Sequence, residues 1–185
     1  MRLFTAVELE QEARAALGML QRSYARSGAV RMTPPESLHL TLRFFGEWPE
    51  QRLPELIAAL DAIPAGPALR LQPLGLRFLP TPASPRVFIL LLEARPELLQ
   101  LQRAIEEQAR SLGMEPERRV FLPHITLGRV RDVRQAVRLA EALREAEAPA
   151  LEAIDATNFA LIQSTLGPQG AVYRTLRRWD LTPPA

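Results

Sequence analysis

The chain contains no cysteine and no lysine. Without cysteine there is no disulfide scaffold, no thiol nucleophile and no thiolate metal site. Without lysine there is no lysine nucleophile, and all 23 basic residues are arginine. Arginine holds its charge far above neutral pH, so the pI is near 9.9 although the formal net charge is only +2. A surplus this small supports a nucleic-acid partner only weakly, and GC-rich coding also raises arginine, alanine and proline together. Long apolar runs are missing as well. No stretch reaches membrane-spanning length, and Glu8 and Glu10 interrupt the start where a signal peptide would carry its apolar core. A soluble cytoplasmic protein is the expectation. Glycine-rich phosphate loops of the G-x-x-x-x-G-K-[ST] and G-x-G-x-x-G types are absent, as is the G-x-S-x-G nucleophile turn. What remains is 185 residues with an ordinary apolar fraction, enough for one domain or two small lobes around a real core.

Histidine is nearly absent, and its two copies are placed alike. His39-Leu40-Thr41-Leu42 and His124-Ile125-Thr126-Leu127 each lie in a run of β-formers, Leu38 to Phe45 and Val120 to Val130. Read as strands, their period of two puts His39 and Thr41 on one face and the aliphatic residues on the other. The second copy does the same with His124 and Thr126. Imidazole and hydroxyl then project the same way about 6.6 Å apart along the chain. A lone histidine beside apolar residues is usually packing or surface. Two with the same neighbours, and none elsewhere, point to a shared site.

The remaining pattern places that pair. Leu3 to Leu9 reads as a strand and Glu10 to Arg26 as a helix with Ala13, Leu17, Leu20 and Tyr24 on one stripe. Thr33 to Ser37 is a turn into the first His strand. Pro49 to Ile63 reads as a helix, with Pro54 tolerated in its first turn. Ala68 to Leu79, bent at Pro73 or Gly75, and Arg86 to Glu93 read as strands around the turn Thr81 to Pro85. Pro96 to Leu112 is a helix on Leu98, Leu101, Ile105 and Ala109, stopped by Gly113. Pro116 to Arg119 leads into the second His strand. Asp132 to Ala146 is a helix carrying Val137, Ala140, Leu143 and Arg144. Leu151 to Gln163 and Val172 to Trp179 form a final strand pair across Gly167 to Gly170, and the tail from Thr182 is expected to fray. The order β α β α β β α β α β β is one strand short of a perfect repeat. It favours an α+β fold with mainly antiparallel sheets and helices packed on one side, and two similar lobes with the site between them.

Two histidines without a third ligand make a poor zinc site, and neither strand offers a carboxylate on its histidine face, so no metal and no cofactor are expected. Paired imidazoles do suit metal-free phosphodiester cleavage. One takes a proton from water and the other gives one to the departing alkoxide, and a pKa near 6.5 lets both forms coexist. Thr41 and Thr126 can donate to non-bridging phosphate oxygens, and Arg129 can add a charged fork. Strict alternation from His124 puts Arg129 on the wrong face, unless Gly128 permits a bulge or the strand ends there. Otherwise Arg129 is a solvated rim residue. Phe44, Phe45, Trp48 and Tyr173 are either base-stacking or core.

His39 to Glu47 and Pro123 to Val130 resemble the paired H-x-T-x motifs of the two-histidine (2H) phosphoesterases. Arg2 to Val7 and Ser164 to Tyr173 are similar to the ends of one branch, the bacterial and archaeal RNA 2′,3′-cyclic phosphodiesterases, historically called 2′-5′ RNA ligases. The resemblance covers essentially the whole chain. It implies one bilobal domain over residues 1–185, two pseudo-symmetric lobes with a water-filled cleft between them, and hydrolysis of an RNA 2′,3′-cyclic phosphate to a 2′-phosphate without metal or ATP. It gives His39 the general-acid role and His124 the general-base role, with Thr41, Thr126 and Arg129 as phosphate ligands. It assigns nothing to Arg43 or Gly128. The expected partner is an RNA or oligonucleotide ending in a cyclic phosphate, met by a monomer with no membrane attachment. A cyclic phosphate on a nucleotide or ADP-ribose derivative, a non-catalytic RNA-end binder and a 2′-5′ strand-joining activity remain open alternatives.

Overall fold

The computed structural model describes residues 1–145, 151–167 and 170–182. In chain order its elements are β1 (Arg2–Glu8), α1 (Gln11–Ala25), β2 (Val30–Met32), β3 (His39–Glu47), α2 (Leu53–Asp61), β4 (Leu69–Leu71) and β5 (Pro73–Thr81). They continue as β6 (Ser84–Leu92), α3 (Pro96–Ser111), β7 (His124–Val130), α4 (Val133–Glu145), β8 (Ile154–Ala156), β9 (Asn158–Gly167) and β10 (Gly170–Asp180). The fold is α+β with antiparallel pairing throughout its named strands.

Where boundaries differ from the sequence expectation, a backbone constraint explains them. The helix expected from Pro49 becomes a 3-10 turn, Glu50–Arg52, followed by α2, because the Pro54 ring would meet the carbonyl four residues back in a continuous α-helix. The second His strand begins at His124 rather than Val120. Pro123 has no N–H to give, its carbonyl accepts from Leu92 N at 3.0 Å, and Val120 is fully in solvent. The long strand from Ala68 divides at Gln72, with Pro73 opening β5 as a first-residue proline. The strand from Leu151 divides likewise at Thr157, whose carbonyl accepts from Leu181 N at 2.7 Å. Thr182 is not frayed: its N–H donates to Gly66 O and its carbonyl accepts from Ala68 N, both at 2.7 Å. Residues 183–185 of that tail, residue 146 of the expected helix and residues 168–169 of the last turn lie outside the described residues. On α4 the buried stripe is Ala136 and Ala140, and Arg144 is exposed.

One sheet runs in the order β10-β9-β1-β3-β7-β6-β5, with β2 also paired to β7. Counting β4 and β8, with β2 and β10 as additions, completes the repeat: β1 α1 β3 α2 β4 β5, then β6 α3 β7 α4 β8 β9. Each unit finishes the other's half of the sheet, since β9 pairs with β1 and β5 pairs with β6. The two short strands β4 and β8 pair with each other. Helix α3 of the second unit packs on β3 of the first, while α4 covers both β5 of the first unit and β6 of its own. Leu98, Leu101, Ile105 and Ala109 of α3 are buried as their spacing implies. One hydrophobic cluster joins both halves through Leu40 and Ile125, each fully buried and each contributing about 1.5–3 kcal/mol.

Both His strands carry a bulge at the same place. Between β1 and β3 the register passes from Ala6↔Thr41 to Thr5↔Arg43, leaving Leu42 unpaired. Between β6 and β7 it passes from Ile89↔Thr126 to Phe88↔Gly128, leaving Leu127 unpaired. The bulged Leu127 carbonyl is held by Gln21 Nε2 of α1 at 2.8 Å and by Thr33 N at 2.9 Å, and the same Gln21 amide donates to Thr33 O at 2.7 Å. That buried amide fixes the distorted backbone.

The bulge residue is therefore Leu127, and Gly128 serves a different need. A Cβ on Gly128 would run into Val30 Cγ1 and lie 2.7 Å from Arg31 O, so only glycine lets β2 close on β7. Gly128→Ala should cost about 1–3 kcal/mol in urea denaturation, as overpacking against backbone does. An unchanged unfolding midpoint would mean that β2 is free to move away.

Candidate active site

The junction of β3 and β7 is a single antiparallel pair, Leu40↔Ile125. Counting outward from it, His39 stands across from Thr126 and Thr41 across from His124. The four polar side chains form a square, with the histidines on one diagonal and the threonines on the other. Directly opposite residues in such a pair are about 4.5–5.5 Å apart and diagonal neighbours about 7–8 Å.

The two corners are oriented identically. His39 Nδ1 lies 2.8 Å from Ser37 O, and His124 Nδ1 lies 2.7 Å from Leu122 O. A carbonyl only accepts, so Nδ1 carries the proton on both rings and Nε2 is left to accept or donate at the site. Thr41 and Thr126 are half-buried beside them. The shared bulge then carries residue five beyond each histidine back to the same face. On β3 that residue is Phe44, and on β7 it is Arg129. Arg129 therefore reaches the cleft, and its expected parity conflict disappears. The side chain between bulge and tip differs too. Arg43 is turned into the core, with Nη2 donating to Glu115 O at 2.8 Å and Nη1 2.9 Å from Glu106 Oε2. This ion pair is close but not aligned for a hydrogen bond, so Oε2 has no hydrogen-bond partner. Arg43 braces α3 on β3.

A cavity of about 900 Å³ opens over this face. His39, Thr41, Thr126 and Arg129 line it, and so do Phe4, Phe44 and Tyr173 on one side and Arg31 and Arg131 on another. His124 is not in its wall; it stands beside the cavity next to Thr41. Phe45 and Trp48 are buried, so of the aromatic candidates Phe44 and Tyr173 alone remain available to a ligand. Phe4, Arg2, Arg31 and Arg131 escaped the sequence reading. The two H-x-T-L copies, aligned with each other, would have flagged Phe44 and Arg129 as counterparts; nothing local marks Phe4 or Arg31.

His39 is packed against rings, whereas His124 has no aromatic neighbour among the described residues. The His39 ring lies 5.0 Å from Phe4 and 5.2 Å from Tyr173, the latter edge-on at 89°. Burial pushes its pKa below the ordinary 6.5, the positive fields of His124 and Arg14 add to that, and the Ser37 carbonyl and Glu8 oppose it. Glu8, cross-strand from His39, is itself engaged by Arg178 at 2.6 Å and Thr175 at 2.9 Å. Burial works against its charge, yet these bonds hold it below the usual carboxylate range. No cluster of three or more His, Asp or Glu side chains with metal-binding geometry occurs among the described residues.

A family model for LigT-like phosphoesterases matches residues 7–89 and again 91–173. The chain belongs to the LigT-like phosphoesterase family. The two matched segments each contain one His strand, β3 in the first and β7 in the second. Among curated LigT-like relatives, an RNA 2′,3′-cyclic phosphodiesterase of Archaeoglobus fulgidus is 30% identical over 97% of this chain and 100% of its own length. Another, from Thermus thermophilus, is 35% identical over 98% of this chain and 90% of its own. The crystal structure of the Thermus thermophilus protein TT0787 superposes with a TM-score of 0.78 at 31% identity, covering 99% of both chains. That of Escherichia coli LigT complexed with 3′-AMP gives 0.74 at 28% identity, covering 98% of both. No helix among the described residues is long and apolar enough to cross a membrane.

The aromatic wall makes a measurable claim. In an imidazole NMR titration His39 should ionise below the ordinary histidine value, so that it is mostly neutral near pH 7. Tyr173→Ala, by admitting water, should move it up towards 6.5. Inorganic phosphate in the cleft should also raise it, because an anion favours the imidazolium. A downward move in either experiment would reverse the assigned cause.

Proposed function

We propose that this protein hydrolyses RNA 2′,3′-cyclic phosphate ends to 2′-phosphates in the cytoplasm, without a metal, using His39 as general acid and His124 as general base. Residues 1–185 act as one unit in this reading, since each lobe supplies one histidine. The observation that carries it is the His–Thr square at the β3–β7 junction, with both Nε2 atoms free for proton transfer. The curated relatives named for this reaction support the substrate class.

The geometry orders the steps. The cyclic phosphate sits between the imidazoles, its non-bridging oxygens accepting from the Thr41 and Thr126 hydroxyls and from the Arg129 guanidinium. His124 Nε2 takes a proton from water as the water oxygen bonds to phosphorus. The bond from phosphorus to O3′ breaks, and His39 Nε2–H gives O3′ its proton. The 2′-phosphate remains on the chain. The placement of the two rings supports this division of labour. The leaving oxygen belongs to the RNA, which needs the large cavity, and His39 is the histidine that lines it. Water needs only the more open side, where His124 stands. Burial leaves His39 short of protons in the empty site, and the arriving phosphate anion restores the imidazolium there. With a 5′-hydroxyl in place of water the same transfers make a 2′-5′ bond.

Turnover of an RNA ending in 2′,3′-cyclic phosphate should survive EDTA. Loss on chelation with recovery on a divalent ion would sink the metal-free mechanism. Replacing either histidine by alanine should lower kcat by about 10²–10⁴. The double variant should be little worse than the worse single one, because the pair works as a unit.

A p-nitrophenyl phosphodiester separates the two roles, because p-nitrophenolate leaves without a proton near neutral pH. On that ester His39→Ala should keep a much larger fraction of wild-type rate than on the cyclic phosphate, while His124→Ala stays crippled on both. The opposite pattern exchanges acid and base.

A further inference from the structure

Glu8 ends β1 directly across from His39 of β3 in their antiparallel pair. Their side chains therefore share one face of the sheet, about 4.5–5.5 Å apart at Cβ. The Glu8 side chain is only 13% exposed and is not part of the cavity wall. It reaches past β9 to β10, where Thr175 Oγ1 donates to Oε1 at 2.9 Å and Arg178 Nε to Oε2 at 2.6 Å. Two alanines leave that path open. Ala6 pairs with Ala160 and Ala160 with Arg178, and both alanines are fully buried in a small apolar cluster with Phe4 and Ile162. A neutral side chain could tie these strands together as well. An anion held here costs desolvation, and the histidine opposite feels its field.

The surroundings of His39 are otherwise poor in negative charge. Arg14 of α1 and His124 of β7 both oppose a proton on it. In front of it the cavity is lined by Arg2, Arg31, Arg129 and Arg131 and, among the described residues, by no aspartate or glutamate. Tyr173 of β10 offers only the edge of its ring. Arg178, the partner of Glu8, is 54% exposed, so water screens much of its charge, and it also feels Asp180 and Glu10. Glu8 is the carboxylate whose field favours a proton on His39.

We propose that Glu8 is a positioning residue for the reaction: its carboxylate, fixed by β10 beside His39, lets the buried imidazole hold the proton that it gives to the leaving oxygen. This rests on the general-acid reading above and deepens it. Burial and the surrounding cations leave the histidine short of protons, and Glu8 offsets part of that without touching the substrate.

The test compares Glu8→Gln, which keeps an acceptor for Thr175 and Arg178 without the charge, with Glu8→Asp, which keeps the charge on a shorter arm. In an imidazole NMR titration the His39 pKa should fall by about 0.5–1 in Glu8→Gln and stay nearer wild type in Glu8→Asp. At about pH 8, above the His39 pKa, kcat/KM on an RNA 2′,3′-cyclic phosphate should fall about three- to tenfold in Glu8→Gln, in step with the lost protonated fraction. On the p-nitrophenyl phosphodiester, whose leaving group needs no proton, the loss should be smaller. An unmoved or raised His39 pKa in Glu8→Gln, or a larger fall in Glu8→Asp, overturns the proposal. Equal losses on the two esters also overturn it, because a purely structural tie would lower both alike. His39→Ala on the same two esters judges the acid assignment separately. If that variant shows no contrast between them, the acid reading fails and the NMR titration alone decides whether Glu8 supports the charge on His39. Superimposable circular dichroism of the two Glu8 variants confirms that the fold is retained.

Discussion

One cross-strand contact sets the chemistry. Leu40 and Ile125 are the only residues through which β3 and β7 pair, and both are sealed in the core. Their register decides that a histidine faces a threonine on each side. A one-residue slip of either strand would turn its histidine and threonine into the core and bring its aliphatic residues to the surface. The apolar core therefore pins a polar site with the free energy of burial, and no hydrogen bond between the four polar side chains is needed to hold them.

From that junction the strands separate. β3 continues along β1, and β7 continues along β2 and β6, so the sheet opens into a cleft on the side where the histidines point. The paired bulges at Leu42 and Leu127 give each strand a further residue on the cleft face and one extra residue in the core. The burial sequence along the first six residues of the two strands is the same. What differs is chemistry on a common backbone. One lobe presents Phe44 where the other presents Arg129, and one buries Arg43 where the other has room only for glycine.

The same exchange breaks the symmetry of the histidines. β1 and β10 bring Phe4 and Tyr173 against His39, and no equivalent rings reach His124 among the described residues. Two imidazoles with the same backbone hydrogen bond thus meet different solvation. A pseudo-symmetric scaffold gives its two histidines different surroundings by changing the wall around one corner of the square, with both histidines and both threonines unchanged.

The α+β class, the four α-helices, both His strands and the grouping of two histidines with two threonines were legible in the sequence because they depend on local periodicity and on a repeated motif. Alternation alone places His39 with Thr41 and His124 with Thr126. The bulges were not legible, since an unpaired Leu42 or Leu127 is defined by a neighbouring strand far away in sequence. For that reason Arg129 looked misplaced unless the strand bulged or ended at Gly128, and Arg43 had no role. The three-residue strands β2, β4 and β8 are too short to show a period and exist through their partners. Arg2 and Phe4, Arg31, and Arg131 belong to three separate stretches of chain that only the sheet order brings to one cavity. The sequence by itself determined which groups could move protons; the tertiary structure decided how they face one another and what charge surrounds them, because register and solvation are properties of packing between distant segments.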